Sequence, residues 1–424
     1  MQPGDRIDLE VTGVAHGGVF VARYEGRVVF VPDTVPGERI RAVLTDTGRD
    51  AYWRAELLEV LDAAPARRQH VWPEADASRP AALRPGGAEF GHIALAEQRQ
   101  LKRTVLADAM ARIGGSDAAV TMAAPRPAPG PDGEVRTESA DGTRWRTRVG
   151  LHSDGRGSVG PYAARSHTIV PVRELPLAVP EIAAAAAQLP PAPAGRVDLV
   201  APAEGEVQVL LPGANRTARA PVTERVGGRA FAVSADGFWQ VHRLAAHTLS
   251  AMVGEELDRI GVDSDAEHLD LYGGVGLFAA ALADRSGPRA TVVTVEADSA
   301  ASAHARRNLA DRSGVATRAA RVERWVASVA RDADRARRVR LGRGIVVLDP
   351  PRRGAGSAVV DAIAALRPAA VVYVACDPAA LARDVRRFAD AGYRAVAVRG
   401  VDLFPHSHHV EAVTTLLPAD PRLP

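Results

Sequence analysis

The alternation of hydrophobic and polar positions divides the chain into stretches of different rhythm. Over about residues 3–61, the short runs IDLEV, VFVA, RVVFVP, RIRAVL and WRAELLEVL are rich in β-formers, and some of them alternate. Gly13, Gly17, Gly18, Gly26 and Gly37 cut them, with Pro32 and Pro36. A period of two sends successive side chains to opposite faces, and glycine and proline mark the turns, so this stretch predicts a small β barrel. The middle of the chain first turns helical in IALAEQRQLKRTVLADAMARIGG, where Ile93, Leu95, Leu101, Val105, Leu106 and Met110 recur loosely at helical spacing. Strand-like runs follow: TRWRTRVGLHS, SVGPY, RVDLVAP, EVQVLLPG and RAFAVS.

From about residue 236 the rhythm becomes β–α–β. A predicted helix (FWQVHRLAAHTLSAMVGEELDRIG) leads into the strand HLDLYGG, the helix LFAAALADRS and the strand ATVVTVEAD; further strands are GIVVLDPP, AAVVYVAC, YRAVAVRGVDLF and HVEAVTTLLP. Several are near-continuous apolar runs, as expected where helices cover both faces of a sheet. The expected organisation is multidomain α/β: an OB-like barrel over 1–61, an α+β unit over 62–235 and a doubly wound unit over 236–424.

Composition narrows the class. The 424 residues are too many for one ordinary domain, and 46% hydrophobic with 25% charged residues is globular usage, which excludes disordered, collagen-like and coiled-coil chains. No apolar run approaches the roughly 18 residues of a membrane span, and MQPGDRIDLE has no basic-then-apolar leader, so a cytoplasmic protein without membrane association is expected. The net charge of +2 decides nothing about an anionic partner. Lys102 is the only lysine; the other basic residues are arginines, whose forked donors suit phosphate, although an Ala- and Arg-rich chain also follows from GC-rich coding. Arg144, Trp145, Arg146 and Arg148 form a basic run with an aromatic in it, readable as a phosphate and base contact or as a plain exposed strand face. Cys376 is the only cysteine, which excludes an intrachain disulfide and a cysteine-based metal site.

Four strand ends carry candidate chemistry. Asp270-Leu-Tyr-Gly-Gly-Val-Gly276 ends a strand and opens a helix, so Tyr272, Gly274 and Gly276 lie where backbone turns tightly against a ligand. Glu296, ending the next strand, is placed to accept from ribose hydroxyls. Leu277, Phe278 and Ala279 follow Gly276, so no third glycine makes room for a pyrophosphate, which favours S-adenosylmethionine over NAD. Asp349, before two prolines without backbone donors, ends another strand at the sheet's carboxyl edge, where doubly wound folds bind ligands. Cys376 ends AAVVYVAC at the same edge, and in PHSHHVE a strand would put His409 and Glu411 on one face. The histidines there lack the partners to complete a metal site, so none is expected.

These stretches resemble the RNA 5-methyluridine methyltransferases, which methylate carbon 5 of uracil in tRNA or rRNA. The resemblance rests on Phe238-Trp239-Gln240-Val241, Asp270–Gly276, Val295-Glu296, Leu348–Arg352, Cys376-Asp377-Pro378 and Phe404-Pro405…His409-Val410-Glu411, in family order. GVAHGGVFVARYEGRVVFVPDTVPGERIRAVL resembles a TRAM domain, an RNA-binding barrel. The resemblance implies an S-adenosylmethionine-dependent enzyme of class I methyltransferase fold, acting on RNA as a monomer. Gln240, Tyr272 and Glu296 would bind the cofactor, with Gly274 and Gly276 in its turn and Asp349 between cofactor and uracil. Cys376 would add to uracil carbon 6 as nucleophile, and Glu411 would remove the carbon 5 proton as general base. The target base must leave its stack.

Some positions depart from the family. Relatives often hold an iron–sulfur cluster on four cysteines; here the corresponding run reads Pro85-Gly-Gly-Ala88 and a later position reads Glu174, so no cluster is expected. Leu277 stands where several relatives have asparagine, Arg321 where an acid is common, and Asp377 where asparagine flanks the nucleophile. A carboxylate at 377 should raise the thiol's pKa unless Arg352, Arg353 or Arg383 offsets it. These departures motivate an alternative from another class, a non-catalytic RNA-binding or RNA-chaperoning protein that keeps the fold.

Overall fold

The computed structural model describes residues 1–130, 132–164, 166–213, 220–287 and 289–420. The N-terminal runs form a closed five-stranded barrel from Arg6–Ala15, Val19–Tyr24, Arg27–Val31, Arg39–Asp46 and Tyr52–Asp62. It closes where Arg6–Ala15 pairs antiparallel with Arg39–Asp46, and the inward set (Ile7, Leu9, Val11, Phe20, Ala22, Val29, Ile40 and Leu44 among them) is buried. The helix Leu95–Arg112 then ties barrel to sheet: Leu101 packs into the barrel core, while Leu106 and Met110 pack under the large sheet.

The large sheet is built from β1 (Glu267–Leu271), β2 (Thr291–Glu296), β3 (Val315–Ala319), β4 (Ile345–Leu348), β5 (Ala370–Ala375), β6 (Tyr393–Val401) and β7 (Glu411–Pro418), in the order 3-2-1-4-5-7-6. β1 to β5 run parallel, and β7 is antiparallel to both neighbours. An eighth strand, Val120–Ala123, adds parallel to β6 at the edge. One face is covered by Leu95–Arg112, Val322–Asp332, Ser357–Leu366 and Pro378–Asp390, the other by Ala245–Ile260 and Leu277–Ser286. With both faces buried, β4 and β5 have no polar side, which is why they read as continuous apolar runs.

Two local readings change. The helix predicted from Phe238 begins at Ala245, because His242 accepts from the Leu244 N–H (3.0 Å) and bridges to Arg146, holding the preceding residues as a loop. The strand predicted from Thr143 begins at Arg148, since Arg144 takes a left-handed φ of 58° and the backbone N–H groups of Trp145 and Thr147 go to Leu177 and Val241. That strand joins a separate four-stranded sheet with Val159–Gly160, Gly195–Val200 and Gln208–Leu210, covered by Pro180–Ala187. The hairpin Val222–Val226/Arg229–Val233 instead packs Phe231 and Val233 into the core of the large sheet.

Candidate functional site

Sheet register brings the candidate residues together at the carboxyl edge. β5 and β7 pair with Ala375 opposite Ala412, so Cys376, the residue after β5, and Glu411, which opens β7, face each other across that pair. β1 and β4 pair with Leu271 opposite Leu348, and the Asp349 N–H donates to the Leu271 carbonyl (3.3 Å), so Asp349 leaves the sheet between the glycine turn and the nucleophile strand. Crossover connections make this convergence unavoidable: every parallel strand delivers its C-terminus to one edge.

The turn after β1 is shaped around a buried acid. Asp270 is 1% exposed and accepts from the Thr294 hydroxyl at 2.9 Å, while its other oxygen has no partner among the described residues. Burial pushes its carboxyl up to about 7. Gly273 lies against it: a Cβ there would stand 2.0 Å from Thr294 Oγ1 and 2.5 Å from Asp270 Oδ2. Tyr272 (φ 63°), Gly274 (φ 54°) and Gly276 (φ 95°) are all left-handed, and a Cβ on Gly276 would meet Leu309 Cδ1 at 2.7 Å. Gly274 has open space where its Cβ would be, and its N–H donates to Glu296 Oε2 (3.0 Å) while Asp298 N–H donates to Oε1 (2.7 Å). The turn and Glu296 thus form one unit, with open space where a Gly274 side chain would stand. Gln240 lies apart from it, lining a cleft with Arg136, Glu224, Trp239 and Arg243; among the described residues it has no hydrogen bond to the turn or the carboxylates.

Charges around Cys376 oppose its ionisation. The thiol is pushed up to about 12, first by burial, then by the Glu411 and Asp349 carboxylates, with Arg352 pulling the other way and Asp377 contributing least. Glu411, 4% exposed, is itself raised well above the usual carboxylate range by burial and by Asp349, against Arg352. Asp349 is raised by burial and by Asp270. The leading cause at the thiol is therefore burial, where the sequence pointed to Asp377. That carboxylate is engaged elsewhere: Oδ1 caps the helix Pro378–Asp390 by accepting from Ala380 N–H (2.8 Å), and Oδ2 pairs with His16 of the barrel (3.0 Å). Burial would raise Asp377, but the His16 and backbone hydrogen bonds hold it below its ordinary value. Of the arginines expected to offset it, Arg352 alone faces the catalytic pair; Arg353 reaches Glu323 (3.4 Å), and Arg383 donates to the Ala379 carbonyl (3.3 Å).

The strand face expected to carry both His409 and Glu411 is not formed, because β7 starts at Glu411. His409 lies in the preceding loop, edge-on to Phe404 (5.6 Å) and 3.5 Å from Arg352. Lys102 fixes that loop from below: 1% exposed, it donates to Asp402 (2.5 Å) and to the Phe404 carbonyl (2.9 Å). Gln98 accepts from His406 N–H (2.7 Å). Trp145 is not a base-stacking residue: it is 3% exposed, stacked on His242 (5.4 Å) and edge-on to Phe404 (6.1 Å). Ala88, in the run where relatives carry cysteine, packs with Trp72, Trp145 and Leu177 in an apolar cluster. Leu277 is buried, and Arg321 is exposed at the start of Val322–Asp332.

Sequence reasoning missed two features. Phe238, quoted only as part of a motif, is 75% exposed beside buried Trp239. The His16–Asp377 pair spans 361 positions, and no local pattern could reveal it.

Comparison with known proteins agrees with this geometry. Residues 233–418 match the tRNA (uracil-5-)-methyltransferase family and residues 1–58 match the TRAM domain. A Streptomyces avermitilis protein named an uncharacterised RNA methyltransferase is 37% identical over 98% of this chain and 99% of its own length. A Bifidobacterium longum protein with the same description is 32% identical over 96% and 95%. Among solved structures, the Pyrococcus abyssi tRNA (uracil-54, C5)-methyltransferase in complex with S-adenosyl-L-homocysteine has a TM-score of 0.64 at 19% identity, covering 96% of this chain and all of that one, which is a likeness of fold.

Proposed function

From the premise that this chain belongs to the RNA methyltransferase family that joins a TRAM barrel to a tRNA (uracil-5-)-methyltransferase domain, we propose that it methylates carbon 5 of a uridine in structured RNA, tRNA or rRNA, through a covalent Cys376 adduct. It is an S-adenosylmethionine-dependent RNA methyltransferase with an α/β catalytic fold. Among the described residues no helix is long and apolar enough to cross a membrane, and no group of three or more His, Cys, Asp or Glu is arranged to hold a metal.

The observation that carries the reading is the opposition of Cys376 and Glu411 across the β5–β7 register, beside Asp349. Carbon 5 of uracil is too poor a nucleophile to take a methyl group unaided. The Cys376 thiolate adds to carbon 6, the electron pair moves to oxygen 4, and carbon 5 becomes enolate-like and nucleophilic. S-adenosylmethionine supplies an electrophilic methyl group and leaves as S-adenosylhomocysteine; Glu296, Tyr272, Gly274 and Gly276 would hold it at the turn, while the role the resemblance implies for Gln240 has no contact behind it among the described residues, where Gln240 lines a separate cleft. The fit rests on the open space at Gly274 and on the Glu296 carboxylate fixed over the turn. After transfer, Glu411 takes the carbon 5 proton, the ring double bond re-forms and the carbon 6–sulfur bond breaks, releasing the thiolate. Asp349 borders the uracil, and the exposed Phe238 ring offers a surface on which a flipped base can stack.

Nucleoside mass spectrometry tests this directly. Unmodified tRNA and rRNA transcripts are incubated with S-adenosylmethionine and wild type or Cys376→Ala. The expected result is 5-methyluridine on one RNA class with wild type only. Product formed equally by Cys376→Ala removes the covalent mechanism, and no product on either RNA removes the proposed reaction.

A further inference from the structure

Of the four residues in the basic run at 144–148, three are accounted for by the fold. Trp145 is interior, Arg144 is exposed at a left-handed turn, and Arg148 is caged by the carbonyls of Ala235 (3.1 Å) and Gly237 (2.9 Å) and by Glu224 (3.3 Å). Arg146 is different. Its Nε donates to the Arg148 carbonyl (3.0 Å) and its guanidinium carbon lies 5.9 Å from the Trp145 ring centroid, so the side chain is half-buried and held in place. Among the described residues no carboxylate lies within ion-pair distance of it. The charges that act on it are Arg196 and Arg352, both repelling, and the Glu89 carboxylate, attracting; Glu89 already pairs with His408 (3.4 Å) and accepts from Gly87 N–H (3.0 Å).

A half-buried guanidinium with no carboxylate in reach is an unfavourable arrangement unless an anion completes it. Its place says which anion. The Arg146 backbone bridges to His242, next to the Phe238–Gln240 loop, and its ring partner Trp145 packs on Phe404, whose neighbour His409 lies 3.5 Å from Arg352. Arg352 in turn acts on both Cys376 and Glu411. The arginines therefore line the mouth through which a nucleotide reaches the catalytic pair, and its backbone phosphate must pass them. We infer that Arg146 binds a backbone phosphate beside the target uridine, with Arg352 lining the path inward and Arg196 the path outward. The identity of the ligand rests on the RNA methylation reading; the anion site itself does not.

Salt-dependent RNA binding tests it. Fluorescence anisotropy of a labelled tRNA transcript is measured over a salt series with the full chain, as wild type, Arg146→Gln, Arg146→Lys and Arg394→Gln, the last at the opposite end of β6. Each phosphate contact contributes about 0.7 to 0.9 to the slope of log affinity against log salt. Arg146→Gln should flatten the slope by about that amount and weaken binding about tenfold near 0.1 M salt, leaving S-adenosylmethionine affinity unchanged. Arg146→Lys keeps the charge but loses the bond to the Arg148 carbonyl, so it should keep the wild-type slope; Arg394→Gln should match wild type. An Arg146→Gln slope equal to wild type overturns the assignment, as does an Arg146→Lys slope as flat as that of Arg146→Gln. A flattened slope in a protein that makes no 5-methyluridine would refute the methylation reading and leave the phosphate site standing.

Discussion

Replacing Glu411 by glutamine should make Cys376 more reactive and the enzyme less active. The thiol stands near 12 where a cysteine ordinarily has about 9, which corresponds to about 4 kcal/mol held against the thiolate at 1.36 kcal/mol per pH unit. Burial is the largest cause and survives the substitution; the Glu411 charge is the next and does not. Removing it should lower the thiol by about one pH unit, or ~1.4 kcal/mol. The assay is simple because Cys376 is the only cysteine: iodoacetamide alkylation followed by mass across pH 7 to 11. Below its pKa the thiolate fraction rises tenfold per unit while the thiolate's own nucleophilicity falls with its pKa, so Glu411→Gln should be alkylated about threefold faster than wild type at pH 8. Turnover to free 5-methyluridine RNA by the same variant should fall by about 10²–10⁴-fold, since the methylated adduct loses the base that takes its carbon 5 proton. An alkylation profile identical to wild type would refute the electrostatic coupling. Retained turnover would refute the proton-transfer role while leaving the coupling intact.

Three outcomes elsewhere follow from the same contacts. Asp377→Asn should move the Cys376 alkylation profile to lower pH by far less than Glu411→Gln, because Asp377 is the weakest contributor and faces His16; a shift larger than that of Glu411→Gln contradicts this order. Lys102→Met leaves buried Asp402 with only Arg99, at 3.5 Å, as its cation, and loss of one partner of a buried pair costs about 3–5 kcal/mol. Urea denaturation should show that loss, and Lys102→Met with Asp402→Leu should recover much of it. Gly273→Ala drives a Cβ against Thr294 and Asp270 and should lower both the melting temperature and S-adenosylmethionine affinity, by about 1–3 kcal/mol in stability; calorimetry unchanged from wild type would mean the turn yields freely.

Legibility followed the range of the interactions. Strands buried on both faces announced themselves as apolar runs, the glycine turn was readable because left-handed backbone favours residues such as Gly274 and Gly276, and Cys376 and Asp349 could be placed at strand ends. Local pattern failed where a residue's state depends on distant partners. Lys102, noted in the sequence only as the one lysine, is buried against Asp402; the run holding Trp145 could be read as a base contact or an exposed strand face, and Trp145 is core; Asp377 looked like the cause of the thiol's shift and is divided between its helix cap and the barrel.

The sequence by itself determined the barrel, the doubly wound sheet and the kinds of residue at its carboxyl edge, because backbone geometry and burial periodicity act over a few residues and are written locally. Only the tertiary structure decided which edge residues meet, through the register that sets Cys376 against Glu411, and that half-buried Arg146 has no carboxylate within ion-pair distance among the described residues. Electrostatics and desolvation depend on distances between segments far apart in the chain, so they exist only once the fold has brought those segments together.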